Sequence, residues 1–322
     1  MAQLGMSFYP QGLSYKEAAT LGKLVEDHGF DSVFVVEGGV NNDAMAMAQA
    51  IAVATHRIIV GTGIANLYLR HPAMLGASAV AIDDLSDGRF ILGIGVNNPA
   101  LIGALGLAWR DPREALRDTT HWLRQVFAGD TAPGMRGPFR GAQHPIPIHL
   151  AGVALETAIL AGEIADGLMC YLAAPERFTQ SVTRAQQGAR QANRQLQEVT
   201  VSLLIPTFMA DDLDAAWQAA RQFLSFYAAL PLYTKMFRRS GFQAEMDGIA
   251  QAQAQHNQAA IPACISERLI DAVCLVGPPS RCQERLAAFR EAGVSYPVLA
   301  PQAVQTEHAT AIRHFVERFQ ER

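Results

Sequence analysis

The chain has 322 residues, of which 50% are hydrophobic and 17% charged, and its formal net charge is −4. That balance excludes a disordered chain and gives no electrostatic case for nucleic acid or an anionic membrane as partner. The start MAQLGMSFYP has neither a charged n-region nor an apolar h-region, and no apolar run reaches ~18 residues, so a soluble cytoplasmic protein is expected.

Strand and helix signals then alternate. LGMSFY (4–9) is a short apolar run. Ser14-x-x-Glu17 forms a capping box ahead of apolar residues at 18, 21 and 25, and Gly29 stops that helix. DSVFVV (31–36) reads as a parallel strand covered on both faces. Asn42 or Asp43 opens a second helix. IIVGTGI (58–64) is the third strand, and Arg70-His71-Pro72 leads into the third helix. FILGIG (90–95) follows, then a helix over 112–127 and a Gly/Pro-rich segment, 129–147, too long for an ordinary connection. IPIHL (146–150), a helix over 155–164, DGLMCYL (166–172), a helix from Pro175 and VTVSLLIPTFM (199–209) continue the alternation. A long helical, aromatic-rich stretch begins at 211, carrying Phe223, Phe226, Tyr227, Tyr233, Phe237 and Phe242. Helices over 266–276 and 280–292, the strand YPVLA (296–300) and an amphipathic helix over 307–319 complete the chain.

Eight strands alternating with helices, with no linker between halves, predict one (β/α)₈ TIM barrel over 1–322, with insertions at about 129–147 and 211–265. A doubly wound sheet is the alternative. In a barrel, ligand chemistry sits at the carboxyl ends of the strands. Those ends carry Tyr9, Glu37-Gly38, Thr62-Gly63-Ile64-Ala65, Gly95-Val96-Asn97-Asn98, Ala151-Gly152-Val153, Cys170-Tyr171 and Pro206-Thr207-Phe208. The set is apolar, small or amide, without a metal cluster, a Ser/His/Asp set or paired carboxylates. It suits a flat aromatic cofactor better than side-chain hydrolysis. The glycines either let backbone approach a ring or simply make tight turns. Gly61-Thr62-Gly63 and Gly93-Ile94-Gly95 lack the third glycine and the acidic partner of a dinucleotide fingerprint. The four cysteines form no C-x-x-C and are expected to be reduced packing residues. His71, at a helix start, is expected to be structural. The aromatic stretch around Phe226 and Tyr227 either covers the mouth and touches substrate, or forms an outer helical pair with its own seam.

Four blocks carry a resemblance: GFDSVFV; IIVGTGIANLYLRHPAMLGASAVAIDDLSDGRFILGIG; PIPIHLAGVALETAILAGEIADGLM; and LIDAVCLVGPPSRCQERLAAFREAGVSYPVLAP. Together they resemble the luciferase-like flavin/deazaflavin oxidoreductase superfamily, closest to its F420-dependent branch, similar to methylenetetrahydromethanopterin reductase. The resemblance implies a bacterial luciferase-like barrel, often a homodimer, with F420 or alternatively FMN in the mouth. Hydride would pass between reduced F420 and a small organic substrate, with C=C or C=N reduction the expected reaction. An FMN-dependent monooxygenase and a non-catalytic flavin-binding relative are the alternatives.

The resemblance further implies a non-prolyl cis peptide at Gly63–Ile64 backing the ring. It places the cofactor phosphate at Ala151-Gly152-Val153, where no Lys or Arg is adjacent in sequence and a backbone-dominated site is expected. Gly38, Thr62, Ala65, Gly95, Val96 and Asn97 would complete the cofactor wall. Relatives often carry a His after strand two and an acid after strand four, and here those positions are Gly38 and Asn98. That leaves Glu37, Tyr9 and Asn98 as the candidates for proton transfer or hydrogen bonding at the ring, with Asn98 equally readable as a turn residue before Pro99.

Overall fold

A computed structural model describes every residue except 1–2, 11, 41, 132–135, 196–197 and 320–322. Ten strands occur in it: β1 (Gly5–Phe8), β2 (Ser32–Val35), β3 (Ile59–Thr62), β4 (Ala65–Asn66), β5 (Phe90–Gly95), β6 (Ile148–Ala151), β7 (Gly167–Tyr171), β8 (Thr200–Met209), β9 (Leu275–Gly277) and β10 (Pro297–Pro301). All pairings are parallel. The order β10-β1-β2-β3-β5-β6-β7-β8 returns on itself through β8–β10, so eight strands close a TIM barrel. Each strand expected from sequence is present, and the capping box at Ser14 and Glu17 opens the helix Tyr15–Asp27 as read. Among the described residues no helix is long and apolar enough to cross a membrane.

Alternation along the strands divides the apolar residues into two sets. Met6, Val33, Val35, Val60, Leu92, Ile148, Leu150 and Leu168 pack outward against the helices. Phe34, Met169, Leu204, Tyr296 and Val298 pack inside the barrel. The inner space is filled by few large side chains facing glycines. A Cβ on Gly61 would lie 2.6 Å from the Phe34 ring. One on Gly63 would lie 3.1 Å from the Met169 methyl, and one on Gly93 would lie 2.0 Å from the Thr62 carbonyl oxygen and 2.7 Å from the Met169 sulfur. Three of the glycines that look like ligand cradles in sequence therefore first answer a packing demand: Phe34 and Met169 occupy the volume their side chains would take.

At the amino ends of the strands the turns are held by buried polar groups. The Glu26 carboxylate accepts from the amides of His56, Arg57 and Ile58 at 2.8, 2.6 and 3.1 Å. Burial pushes its pKa up, but these three donors outweigh burial and hold it at about 2. Arg89 donates to the carbonyls of Ala52, Thr55 and Ile58. Of the segment 129–147, residues 132–135 lie outside the described residues, and the rest leads into the amino end of β6. Phe139 and Ala142 pack on the outer core, and the His144 amide donates to Asp83.

Two departures from the sequence reading lie beyond β8. The segment expected as one helix over 266–276 is a shorter helix, Glu267–Val273, followed by β9, which pairs with the outer end of β8 at Thr207, Phe208 and Met209. The apolar run Leu275-Val276 is too short to stand out beside a helix, and the free edge of β8 captures it. The stretch from 211 is three helices, Leu213–Ala228, Pro231–Arg239 and Gln243–Ala254. Pro231 begins the second, and Gly241, at φ +87°, precedes the third. They share an apolar core of Trp217, Leu224, Phe237, Phe242, Met246 and Ile249.

His149 faces the barrel interior, its ring against Gly167, where an added Cβ would lie 2.5 Å from the ring. Burial holds it neutral, with its pKa lowered to about 4 against the pull of Asp166. The unfolded chain takes up this proton near pH 6.5 and the folded chain only near 4. Stability should therefore fall as pH drops through that window, by about 3 kcal/mol from this group. Urea unfolding at stepped pH should show that loss in the wild type and a flatter profile in His149→Gln.

Candidate active site

The carboxyl end of β3 is broken and then resumed. Thr62 donates through Oγ1 to the Gly93 carbonyl at 2.7 Å. The next peptide, Gly63–Ile64, is cis, as the resemblance implies. β4 then pairs Ala65 with Ile94 and Asn66 with Gly95. The Gly63 amide donates to the Val35 carbonyl at 2.8 Å, and the Glu37 amide donates to the Ile64 carbonyl at 3.0 Å. The bulge is thus locked between β2 and β5. Ile64, Ala151 and Tyr171 pack on the inner cluster yet remain half-buried, so they form the open upper layer of the barrel. A Cβ on Gly95 would lie 3.1 Å from Ile64, while one on Gly38 would meet nothing within 4 Å.

Glu37 is 1% exposed and fully engaged. Its Oε2 accepts from Arg70 at 2.8 Å and from the Asn66 amide at 2.7 Å. Its Oε1 accepts from Arg70 at 2.7 Å and from the Ala44 amide at 3.2 Å. Arg70 is the first residue of Arg-His-Pro, and it also pairs with Asp43, which caps the helix Ala44–Ala54. His71 caps the helix Pro72–Ser86, its Nδ1 accepting from the Ala73 amide at 3.2 Å. The motif is a brace for the rim.

Asn97 adopts a left-handed backbone (φ +59°), and its side-chain oxygen accepts from the Asn98 amide at 2.9 Å. Asn98 caps the six-residue helix Pro99–Ala104, its side-chain oxygen accepting from the Leu101 amide at 2.9 Å. Both are half-buried at the mouth beside Val96.

The turn after β6 runs Ala151-Gly152-Val153 into the helix Leu155–Ile164, which has no side-chain cap. A Cβ on Gly152 would lie 2.4 Å from Thr157. No cation is adjacent in sequence, but one from the neighbouring strand's helix reaches the turn. Arg177, 7% exposed, donates through Nη2 to the Val153 carbonyl at 2.8 Å, and its buried Nε has no hydrogen-bond partner among the described residues. Burial lowers its pKa, and nearby Arg239 lowers it further. Arg177 lies in the first turn of the helix Pro175–Gln191 after β7, the strand next to β6. Barrel order could have found it, because neighbouring strands bring their following loops together.

Tyr9 and Tyr171, on the ends of β1 and β7, are hydrogen-bonded through their phenols at 2.5 Å. Tyr227 packs on Tyr171 at 5.2 Å between ring centroids, and Tyr233 packs on both. Phe223 bridges Tyr9 and Phe208. The insertion has its own apolar seam, as one of the two readings expects, and it turns a second stripe of aromatics onto the rim tyrosines. Phe223 and Tyr227 are four residues apart on the helix Leu213–Ala228 and share that stripe. Sequence names Phe223 within the aromatic stretch but not beside Phe226 and Tyr227 as a substrate residue, and the i, i+4 spacing to Tyr227 is the signal for its place on the rim. Phe226 lies outside the cluster, edge-on to Tyr227 and 61% exposed. Burial raises the pKa of Tyr9, Tyr171, Tyr227 and Tyr233, so all four are neutral donors at physiological pH. Burial likewise pushes the Cys170 thiol up to about 12, and its side chain packs in the outer core. Among the described residues no His/Cys/Asp/Glu group could hold a metal ion.

The family model for luciferase-like monooxygenases matches residues 2–296, and the chain belongs to that family. It is 28% identical over 299 residues to the 5,10-methylenetetrahydromethanopterin reductase of Methanolobus tindarius, covering 90% of this chain and 91% of that protein. Among solved structures, the coenzyme F420-dependent tetrahydromethanopterin reductase of Methanopyrus kandleri superposes with a TM-score of 0.82 at 23% identity, covering 99% of this chain and 98% of that one. An F420-dependent secondary alcohol dehydrogenase in complex with an F420-acetone adduct gives 0.75 at 17% identity, with 99% and 98% covered.

Replacing Glu37 by Gln leaves Arg70 with a buried, half-compensated charge. Chemical denaturation should show a loss of about 3 kcal/mol, the usual cost of removing one partner of a buried pair. A loss below about 1 kcal/mol would mean that the rim does not depend on this pair.

Proposed function

We propose that this chain is an oxidoreductase passing a hydride between reduced coenzyme F420 and a small organic substrate, with reduction of a C=C or C=N bond as the reaction. One observation carries the reading: the break between β3 and β4, locked between β2 and β5, stands beside an open apolar layer of Ile64, Ala151 and Tyr171, where a flat ring would have backbone on one side and phenols on the other. The fold neighbours named for F420 support it.

The residues present fit such a group. Space above Gly38 is free of atoms, and the uncapped helix start after Val153, with the orphaned Nε of Arg177 beside it, suits a phosphate. When bound, F420 supplies the hydride. In this reading Gly63, Ile64 and Ala65 back the ring, and Gly38, Thr62, Gly95, Val96 and Asn97 frame it. Ala151, Gly152 and Val153 take the phosphate through backbone N–H groups, with Arg177 holding the turn. Asn98, its oxygen used as a cap, keeps amide N–H for a ring carbonyl. Glu37 positions the rim rather than moving a proton, because each of its oxygens already has two donors.

Proton delivery falls to the phenols. In the Tyr9–Tyr171 bond one hydroxyl donates to the other, which leaves one O–H to point at substrate. Both phenols are protonated at neutral pH, so the pair polarises an acceptor atom by hydrogen bonding; burial makes each a weaker acid, so a proton it passes on has to be replaced at once through Tyr227 from solvent. Tyr227 belongs to the substrate side, with the insertion as lid excluding water, whereas Phe226, expected beside it from sequence, faces outward.

Fluorescence titration should show tight binding of F420 and weak binding of FMN. Tight FMN binding without F420 binding would overturn the cofactor assignment, and oxygen uptake with reduced FMN would then support the monooxygenase reading. Tyr9→Phe and Tyr171→Phe should each lower turnover by about 10²-fold while F420 affinity stays nearly constant. Unchanged turnover in both variants would remove the phenols from proton transfer.

A further inference from the structure

The polar groups at the barrel mouth are uncharged on both sides. On one side the phenols of Tyr9 and Tyr171 meet at 2.5 Å, and Tyr227 and Tyr233 pack on Tyr171 at 5.2 and 6.3 Å between ring centroids. Phe223 continues this wall against Tyr9 and Tyr227. On the other side stand the half-buried amides of Asn97 and Asn98. The acids of the rim are used in bracing it. Glu37 accepts four hydrogen bonds, and Asp43 pairs with Arg70 and caps the helix Ala44–Ala54. Glu156, in the first turn of the helix after Val153, is exposed.

Such a set of groups discriminates between the bonds open to hydride. An imine accepts hydride readily only as its protonated iminium, a cation. Taking a cation into a half-buried aromatic site is costly unless a carboxylate meets it, and Glu37 and Asp43 are already paired. Nor do the rings form an open cage for a cation. Tyr171 stands at 71° to Tyr227 and 87° to Tyr233, so edges of neighbouring rings take up the faces that would attract one. Burial also makes the phenols weak acids, poorly suited to protonating a nitrogen. An isolated C=C bond fares no better, because the electron pair that hydride displaces has nowhere to go. Conjugation with a carbonyl sends that pair to oxygen. Neutral O–H donors in a site partly screened from water stabilise the charge developing there, and they need not be strong acids to do so.

We infer, on the basis of the proposed hydride transfer, that the substrate is a neutral α,β-unsaturated carbonyl compound with an apolar planar frame, its carbonyl oxygen held by the Tyr9–Tyr171 pair. Hydride forms a C–H bond at the β-carbon, and the C=C electron pair shifts so that charge gathers on the carbonyl oxygen. One proton passed on by the phenols and replaced from solvent ends on the α-carbon as the C=O bond is restored. The substrate gains a hydride and a proton, and the two electrons come from the reduced deazaflavin.

The test sets benzylideneacetone, a neutral enone, against methylpyrroline, a cyclic imine, with reduced F420 and the full chain without oxygen. Cofactor oxidation is followed by absorbance and products by mass spectrometry. The enone should be reduced at its C=C bond, with kcat/KM at least about tenfold above that for the imine. Tyr9→Phe/Tyr171→Phe should lower kcat for the enone by about 10²-fold with little change in KM. A second readout needs no hydride transfer. Infrared difference spectra of isotope-labelled benzylideneacetone on the chain without cofactor should show a lower carbonyl stretch in wild type than in that double variant. Faster reduction of methylpyrroline, reduction of the enone at its carbonyl, turnover of neither compound by the F420-loaded chain, or a carbonyl stretch equal in both proteins overturns the inference. Failure of F420 to bind overturns the proposed function instead, and the carbonyl stretch then still decides whether the phenols hold a neutral carbonyl.

Discussion

The rim of the barrel depends on one buried carboxylate. Glu37 accepts four hydrogen bonds from three separate pieces of chain: the start of the helix Ala44–Ala54, β4 and Arg70. A carboxylate taken out of water is costly unless its lone pairs are filled. Here they are, and filling them sets where each donor sits. The donors are the same elements that carry the cis bulge and the entry into the helix Pro72–Ser86. The geometry of the mouth is in this sense an electrostatic consequence of one side chain.

The second constraint is steric. Phe34 enters the barrel where β3 and its bulge offer Gly61 and Gly63, and Met169 packs against Gly63 and the β5 glycine, Gly93. A packed interior below and a glycine-lined bulge above put a flat apolar floor at the level of Ile64 and Ala151. Polar groups then enter from the rim alone, as neutral phenols on one side and as amides on the other. Fixed charge is held away from the floor, paired in Glu37 and Arg70 or set behind the turn in Arg177.

The strands were legible because a strand covered on both faces must be a short apolar run, and DSVFVV, FILGIG and VTVSLLIPTFM can be little else. The helix starts at Ser14 and Asp43 were legible because caps act within three residues. What sequence did not reveal depends on neighbours distant along the chain. Glu37 looks like a free rim acid until Arg70 is folded onto it. Arg177 looks remote from the turn at Val153 until adjacent strands bring their loops together. β9, three residues long, exists because β8 runs past the barrel and leaves an edge to pair with.

That overrun has a consequence for how the molecule can be altered. Met209 is in register with Gly277, and the Ala210 amide donates to the Gly277 carbonyl at 3.1 Å. The excursion between them thus leaves and rejoins the sheet at neighbouring positions, about 4.8 Å apart. Its own core of Trp217, Leu224 and Phe237 travels with it. A segment whose ends are stapled together is a natural cassette, provided its replacement keeps the seam with Leu172, Ala174 and Phe208 that joins its core to the barrel. Lineages or engineers can exchange it, and with it the aromatic stripe over the mouth, while every barrel strand keeps its partner.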